Sequence, residues 1–302
     1  MPSALRAFFN GLIDYAGLYP PAALPMDQAV HAYAEALRGP DGWVLNRMVV
    51  PSTRLDSFAQ AFAELPPDRR GPTPWPITVT AGPDIMFCAS VADEFAARQP
   101  VTNLRVDAVE TLVRTPEEIE RARAAVAPAV GLVLELPLDA DLPALARAVK
   151  EAGGVAKLRA GGIHADDIPT PTAVVGFLGA CAAERLPFKA TAGLHHAVRG
   201  PAPLTYAPGA ERAVMHGYLN VLLAAVALWG GRSAAEALGI LEDDDRDAFQ
   251  PGAEALRWRA LRFGADEIAR ARNAFVTAVG SCSFAEPLQE IRQLGAQLAG
   301  PA

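Results

Sequence analysis

The sequence predicts an α/β protein: a single closed (β/α)8 barrel, the TIM-barrel class, spanning residues 1–302. Three observations carry that reading. Short apolar runs alternate with amphipathic stretches through the chain, and strands alternating with helices demand a parallel sheet. Eight such units in 302 residues, 51% of them hydrophobic, match the length of a one-domain barrel. No G-x-G-x-x-G follows the first strand and no Walker A loop occurs, so nothing favours a dinucleotide or P-loop site. An open doubly wound sheet is the alternative fold.

The units follow in order. Leu12–Leu18 is the first apolar run, stopped by Tyr19-Pro20-Pro21. Met26–Leu37 places Ala29, Val30, Tyr33, Ala34 and Leu37 on one helical face. Trp43–Val50 is a strand, Leu55–Leu65 a helix, and Pro66–Pro76 a proline-rich connection. Ile77–Ala81 and Leu104–Val113 are strands, with Val91–Arg98 helical between them. Thr115 caps the next helix, with Pro116 at its first position. Gly131–Leu136, Gly154–Arg159 and Phe188–Ala192 are strands five to seven, separated by helices Leu142–Ala152 and Thr172–Glu184. Ala213–Trp229 is a long apolar helix within an insertion that separates strand seven from the last helices. Ala255–Phe263 is the candidate eighth strand and Thr277–Ser281 its competitor. A last helix, capped by Ser283 with Glu286, runs from Pro287 to about Leu298.

Composition excludes some classes of function. A net charge of -7 without basic runs argues against nucleic acid or an anionic membrane as partner, leaving a small-molecule substrate. Three scattered cysteines, Cys88, Cys181 and Cys282, form no CxxC and suit a reducing cytoplasm. The opening segment lacks a clean apolar core and a cleavage site, so no signal peptide is expected. The stretch Val221–Trp229 is too short to span a bilayer. The nearly all-apolar helix around it calls for burial beneath the insertion or in a homodimer interface.

Polar side chains in otherwise apolar strands mark the candidate site, because barrel active sites lie at the carboxyl ends of the strands. Strand six alternates Val155, Lys157 and Arg159 onto one face; strand seven carries Lys189 and Thr191. Strand five ends at Glu135, and strand four carries Asp107 and Glu110. Parallel neighbours lie about 4.8 Å apart, which would cluster Glu135, Lys157 and Lys189. Two close ammonium groups disfavour each other's protonation, and a neutral amine can attack a carbonyl to form a Schiff base. Glu135 or Asp107 would then move protons. His195 and His196 follow strand seven directly, and His216 with Asn220 opens the next helix. With Arg159, Thr191, Arg47 and Glu110 they are the candidate substrate-binding residues. Tyr19 and Ser52 also sit at early strand ends. Cys282 is expected to be a buried small residue. If Thr277–Ser281 is the strand, Ser281 and Cys282 move to the site's rim.

The segment Phe188-Lys189-Ala190-Thr191-Ala192-Gly193 resembles the seventh strand of deoxyribose-phosphate aldolase, F-K-x-A-G-G. Lys157, 32 positions earlier, is similar in placement to that family's Schiff-base lysine, and Arg262-Phe263-Gly264-Ala265 to its R-F-G-A after strand eight. The resemblance implies Lys157 as nucleophile and Lys189 as the partner that lowers its pKa. Leu158-Arg159-Ala160-Gly161 departs from the family's T-S-T-G, and Asp266 and Glu267 replace its phosphate-holding serines, so a phosphorylated substrate is not expected. The expected function is a class I aldolase-like lyase acting on a small carbonyl compound, without metal or other cofactor. Two alternatives stand beside it. One is a metal-dependent hydrolase or lyase using His195, His216 and Glu135, a set that no HxH or HExxH spacing supports. The other is a non-catalytic barrel.

Overall fold

The computed structural model describes residues 3–72, 74–82, 84–98, 103–252 and 254–296. A helix α1 (Ser3–Phe9) leads into β1 (Ile13–Tyr15), and then strand and helix alternate: α2 (Met26–Arg38), β2 (Leu45–Pro51), α3 (Leu55–Glu64), β3 (Trp75–Thr80), α4 (Ile85–Ala97), β4 (Leu104–Leu112), α5 (Pro116–Ala125), β5 (Gly131–Glu135), α6 (Leu142–Glu151), β6 (Val155–Arg159), α7 (Pro171–Ala183) and β7 (Phe188–Thr191). The eighth barrel strand comes only after an insertion. It is the segment Val276–Ser281, and it pairs with both β7 and β1 to close the ring. All eight pairings are parallel, so the fold is a (β/α)8 barrel.

The competing candidate for strand eight is therefore the true one. The run Ala255–Phe263 instead forms two strands of an antiparallel sheet inside the insertion. That insertion holds a hairpin of β8 (Gly200–Pro203) and β9 (Arg212–Met215), then α8 (Tyr218–Trp229), α9 (Ala234–Glu242), and a three-stranded sheet of β10 (Phe249–Pro251), β11 (Ala255–Trp258) and β12 (Leu261–Gly264). Helix α10 (Ala265–Ala274) leads to the closing strand, β13 (Val276–Ser281), and α11 (Ala285–Ala296) ends the described chain; the expected end at Leu298 lies outside the described residues. The physical reason for the difference is burial. β11 and β12 each expose an arginine, Arg257 and Arg262, and pair only within a small antiparallel sheet, whereas four of the six residues of β13 are buried in succession between β7 and β1. The segment Arg262-Phe263-Gly264-Ala265 consequently lies in the insertion sheet and the start of α10, not after strand eight.

Local signals explain the helix starts. Thr115 accepts from the Glu118 amide and Thr170 from that of Ala173, each with a proline at the first turn. Ser283 accepts from the Glu286 amide at 3.3 Å, as its spacing predicts. The Glu286 side chain, however, does not return to the cap; it reaches across to strand seven's loop.

The apolar helix α8 is buried from Tyr218 to Ala227 and packs between α7, α9, α10 and β13. Its burial is completed within the chain, beneath the insertion, so it presents no face to a second copy. Among the described residues no helix is long and apolar enough to cross a membrane. The three cysteines are free and buried.

Candidate active site

The barrel register decides which side chains meet. Lys157 stands opposite Lys189, Glu135 opposite Lys157, and Arg159 opposite Thr191. Successive strand residues alternate faces, so Lys157 and Arg159 share one side of β6. The two lysines do not leave each other's charges uncompensated. Lys189 lies 2.6 Å from Asp14 Oδ2 and donates a short hydrogen bond to Glu110 Oε1. Lys157 lies 2.8 Å from Glu110 Oε2 and 3.2 Å from Glu135 Oε2. Arg159 Nε donates to Glu135 Oε1 at 2.8 Å. The result is one ladder of alternating charge, Asp14, Lys189, Glu110, Lys157, Glu135, Arg159, drawn from strands β1, β7, β4, β6 and β5.

Burial grades along this ladder. The Asp14, Glu110 and Lys189 side chains are 1%, 3% and 4% exposed; those of Lys157 and Glu135 are 11% and 14% exposed, and that of Arg159 55%. Asp14 is also fixed by the Asn46 amide at 2.7 Å. Burial pushes the Glu110 carboxyl up, but Lys189 and Lys157 outweigh it and pull the pKa down to about 2. Burial likewise opposes the Lys189 ammonium, yet Asp14 and Glu110 hold its pKa above the ordinary lysine value. Glu135 is lowered in the same way, with Lys157 and Arg159 overcoming its burial. The reason is that a charge in a low-dielectric interior persists only when paired and hydrogen-bonded.

All of the ladder but Asp14 forms the floor of a cavity of about 670 Å³ at the carboxyl mouth of the barrel, lined by Glu110, Glu135, Lys157, Arg159, Lys189 and Thr191 together with Tyr19, Thr80, Gly193, His195, Gly280 and Cys282. Tyr19 and Thr80 share a 2.6 Å hydrogen bond on the wall formed after β1 and β3. The opposite wall depends on a backbone contact. Gly193, with φ +69°, sits so close to Gly161 that a Cβ added at Gly193 would meet the Gly161 Cα at 2.9 Å. The two glycines let the loops after β6 and β7 touch and turn outward.

Several expected residues stand elsewhere. Asp107 lies three residues before Glu110 on β4, about 10 Å toward the amino end, where it pairs with Arg47 at 3.3 Å and with Arg105. Neither Asp107 nor Arg47 lines the cavity. His216 is buried against the Pro169 carbonyl at 2.8 Å, and burial lowers its pKa. Asn220 donates to the Ile240 and Asp243 carbonyls and accepts from the Arg199 amide, which makes it a brace of the insertion. His196 turns away from the cavity to Glu290 at 2.9 Å. The ligand set His195, His216 and Glu135 therefore does not assemble, and among the described residues no group of three or more His, Cys, Asp or Glu side chains is placed to hold a metal ion.

Other groups that support the cavity's lining residues escaped the sequence reading. Asp14 carried a signal, being the one carboxylate in the first apolar run. Glu286 and Tyr206 carried none, since a capping glutamate and a loop tyrosine are ordinary surface residues. Cys282 joins the rim once β13 is recognised as the eighth strand.

No family model and no curated protein matches the chain. A solved structure that it resembles is the modular endo-β-1,4-mannanase from Cellulomonas fimi, of glycoside hydrolase family 26. The likeness has a TM-score of 0.40 and 13% identity, over 80% of this chain and 78% of that one. The Schiff-base lyase expected from the two lysines is overturned by the site's own charges. The nucleophile reading required the Lys189 charge to act unopposed on Lys157. Instead Glu110 stands between the two ammonium groups and pairs with both, Glu135 pairs with Lys157 as well, and the R-F-G-A likeness falls in a different part of the fold.

Proposed function

We propose that the chain is an enzyme, a hydrolase that adds water to the carbonyl carbon of a small, carboxylate-bearing substrate at the barrel mouth. The observation that supports it is the graded ladder: three carboxylates matched to three cations, sealed at Asp14 and open to solvent at Arg159. In this reading Arg159 binds the substrate carboxylate, Lys157 stabilises the oxyanion that develops on the carbonyl oxygen, and Glu135 accepts a proton from the attacking water. A carboxylate whose pKa is lowered is a poor base for a C–H bond. It suits a water molecule that grows acidic only as it bonds to carbon. An incoming carboxylate that takes Arg159 also removes one of the cations depressing Glu135, so basicity rises when substrate is in place.

Hydrolysis and thermal-shift measurements on a panel of compounds test this. The panel holds half-esters and half-amides of small dicarboxylic acids, neutral esters, and neutral oligosaccharides. Half-esters or half-amides should be hydrolysed and should raise the melting temperature of wild-type protein but not of Arg159→Gln. Glu135→Gln should keep the fold and lose about 100-fold or more in kcat. Hydrolysis confined to neutral oligosaccharides would overturn the substrate class, and hydrolysis of nothing in the panel would overturn the reading as a whole.

A further inference from the structure

A second set of groups, of which His195 lines the cavity, stands on the side away from Glu135 and takes no part in the water-activating step. His195, in the loop after β7, lines the cavity with its side chain only 14% exposed. Its Nδ1 lies 3.2 Å from Glu286 Oε2 on the first turn of α11. The same carboxylate accepts a hydrogen bond from the Tyr206 hydroxyl at 3.0 Å, from the turn of the β8–β9 hairpin. Glu286 is held below the ordinary glutamate pKa, first by its bond to His195 and against its burial. An ionised carboxylate can only accept, so Nδ1 carries the hydrogen of this pair. Nε2 is then the ring nitrogen left to serve the cavity.

The placement suits a distinct task. Glu135 ends β5, and β6 separates it from β7, so two strand spacings, about 10 Å, lie between the base and the loop bearing His195. That gap accommodates a carbonyl group with its leaving group directed toward β7. A histidine oriented at Nδ1 by a carboxylate is a competent proton donor from Nε2.

We propose that His195 is a further catalytic residue, the general acid that protonates the leaving group, with Glu286 and Tyr206 as its positioning residues. The assignment rests on the hydrolytic reading above. Water attacks the carbonyl carbon and loses its proton to Glu135, giving a tetrahedral oxyanion beside Lys157. The oxyanion re-forms the C=O bond, and the bond from carbon to the leaving oxygen or nitrogen breaks. Its electron pair departs with that atom, which takes the Nε2 proton of the His195 imidazolium and leaves the neutral ring with its hydrogen on Nδ1. The products are the acid and the free alcohol or amine. The proton held by Glu135 returns through solvent to His195, so no oxidant, reductant or other reactant is required.

Two esters of one dicarboxylic acid separate the acid step from the rest: the mono-4-nitrophenyl and the monoethyl ester of succinate. Nitrophenolate departs without a proton, whereas ethoxide needs one. His195→Gln should lower kcat/KM for the ethyl ester by about 100-fold or more while changing the nitrophenyl ester by no more than about threefold. Glu286→Gln should shift the ratio of the two rates in the same direction and move the alkaline limb of the ethyl-ester pH profile. It also supplies the test if the histidine variant does not fold. Equal losses on both esters, or no loss on either, would overturn the general-acid role while leaving hydrolysis intact. Wild-type protein that cleaves neither ester would remove the hydrolytic reading and this assignment with it.

Discussion

Lys189 is the residue on which most of the floor's charge depends. It is the shared cation of Asp14 and Glu110, all three buried. Lys189→Met leaves two interior carboxylates without that cation. A broken buried pair of this kind costs about 3–5 kcal/mol, read as a fall in unfolding free energy in urea; a loss under 1 kcal/mol would contradict the pairing. The pH dependence has a definite sign. The folded-state pKa of Glu110, about 2, lies below its ordinary 4.5, so the unfolded chain binds protons first as pH falls. The stabilisation is complete above pH 4.5 and is lost as pH drops toward 2. In Lys189→Met the acid limb moves to higher pH, because Lys157 alone remains to hold Glu110 charged.

At the scale of elements, the loop after β7 is strapped to α11 by two histidine–glutamate pairs four residues apart on the helix. His195 meets Glu286, and His196 meets Glu290, which also accepts from the Ala197 amide. Glu290 raises the His196 pKa through their hydrogen bond, against burial. Glu290 itself is lowered: burial opposes this, but His196 and the Ala197 amide outweigh it, with Glu286 and Arg246 as the other charges nearby. The His196 contribution is fully present below pH 6.5 and is lost as pH rises through its raised value. The Glu290 contribution is present above pH 4.5 and is lost as pH falls through its lowered one. The strap is strongest between these limits. Glu290→Gln should therefore lower the melting temperature more at pH 5.5 than at pH 8.5, and an equal effect at both would show that the amide bond alone matters. None of this was legible in sequence, since the partners are 91 and 94 positions apart. The pair Lys157 and Lys189 was legible, because equivalent polar breaks in two neighbouring apolar strands put both on the barrel's inner face.

For the whole molecule, closure is the property that joins the chain's two ends. β13 lies between β7 and β1, aligning Ala278 with Lys189 on one side and Gly280 with Asp14 on the other. Helix α1 packs on α10, and Arg272 donates to the Asn10 carbonyl at 3.0 Å. A chain truncated after residue 274 leaves β1 and β7 as open edges and uncovers the buried faces of both. It should lose cooperative unfolding and bind a hydrophobic dye, as followed by denaturant titration and fluorescence. A single sharp transition in the truncated chain would show that the barrel is stable without its closing strand. The late position of β13 also explains why the eighth strand was ambiguous: residues 192–275, with their helices and small sheets, intervene, and short runs such as Leu256–Leu261 have part of the composition of a strand without its burial.

The barrel class, the caps at Thr115 and Ser283 and the lysine pair could be read from the sequence, because period, cap chemistry and strand alternation act over a few residues. What the pair does electrostatically depends on neighbours that folding brings in. Asp14 and Glu110 arrive from strands far away in the chain, and their carboxylates reverse the expected sign of mutual repulsion by keeping the buried ammonium of Lys189 charged. Charge in an interior is governed by whatever stands within a few ångströms, and closure of the ring sets those neighbours.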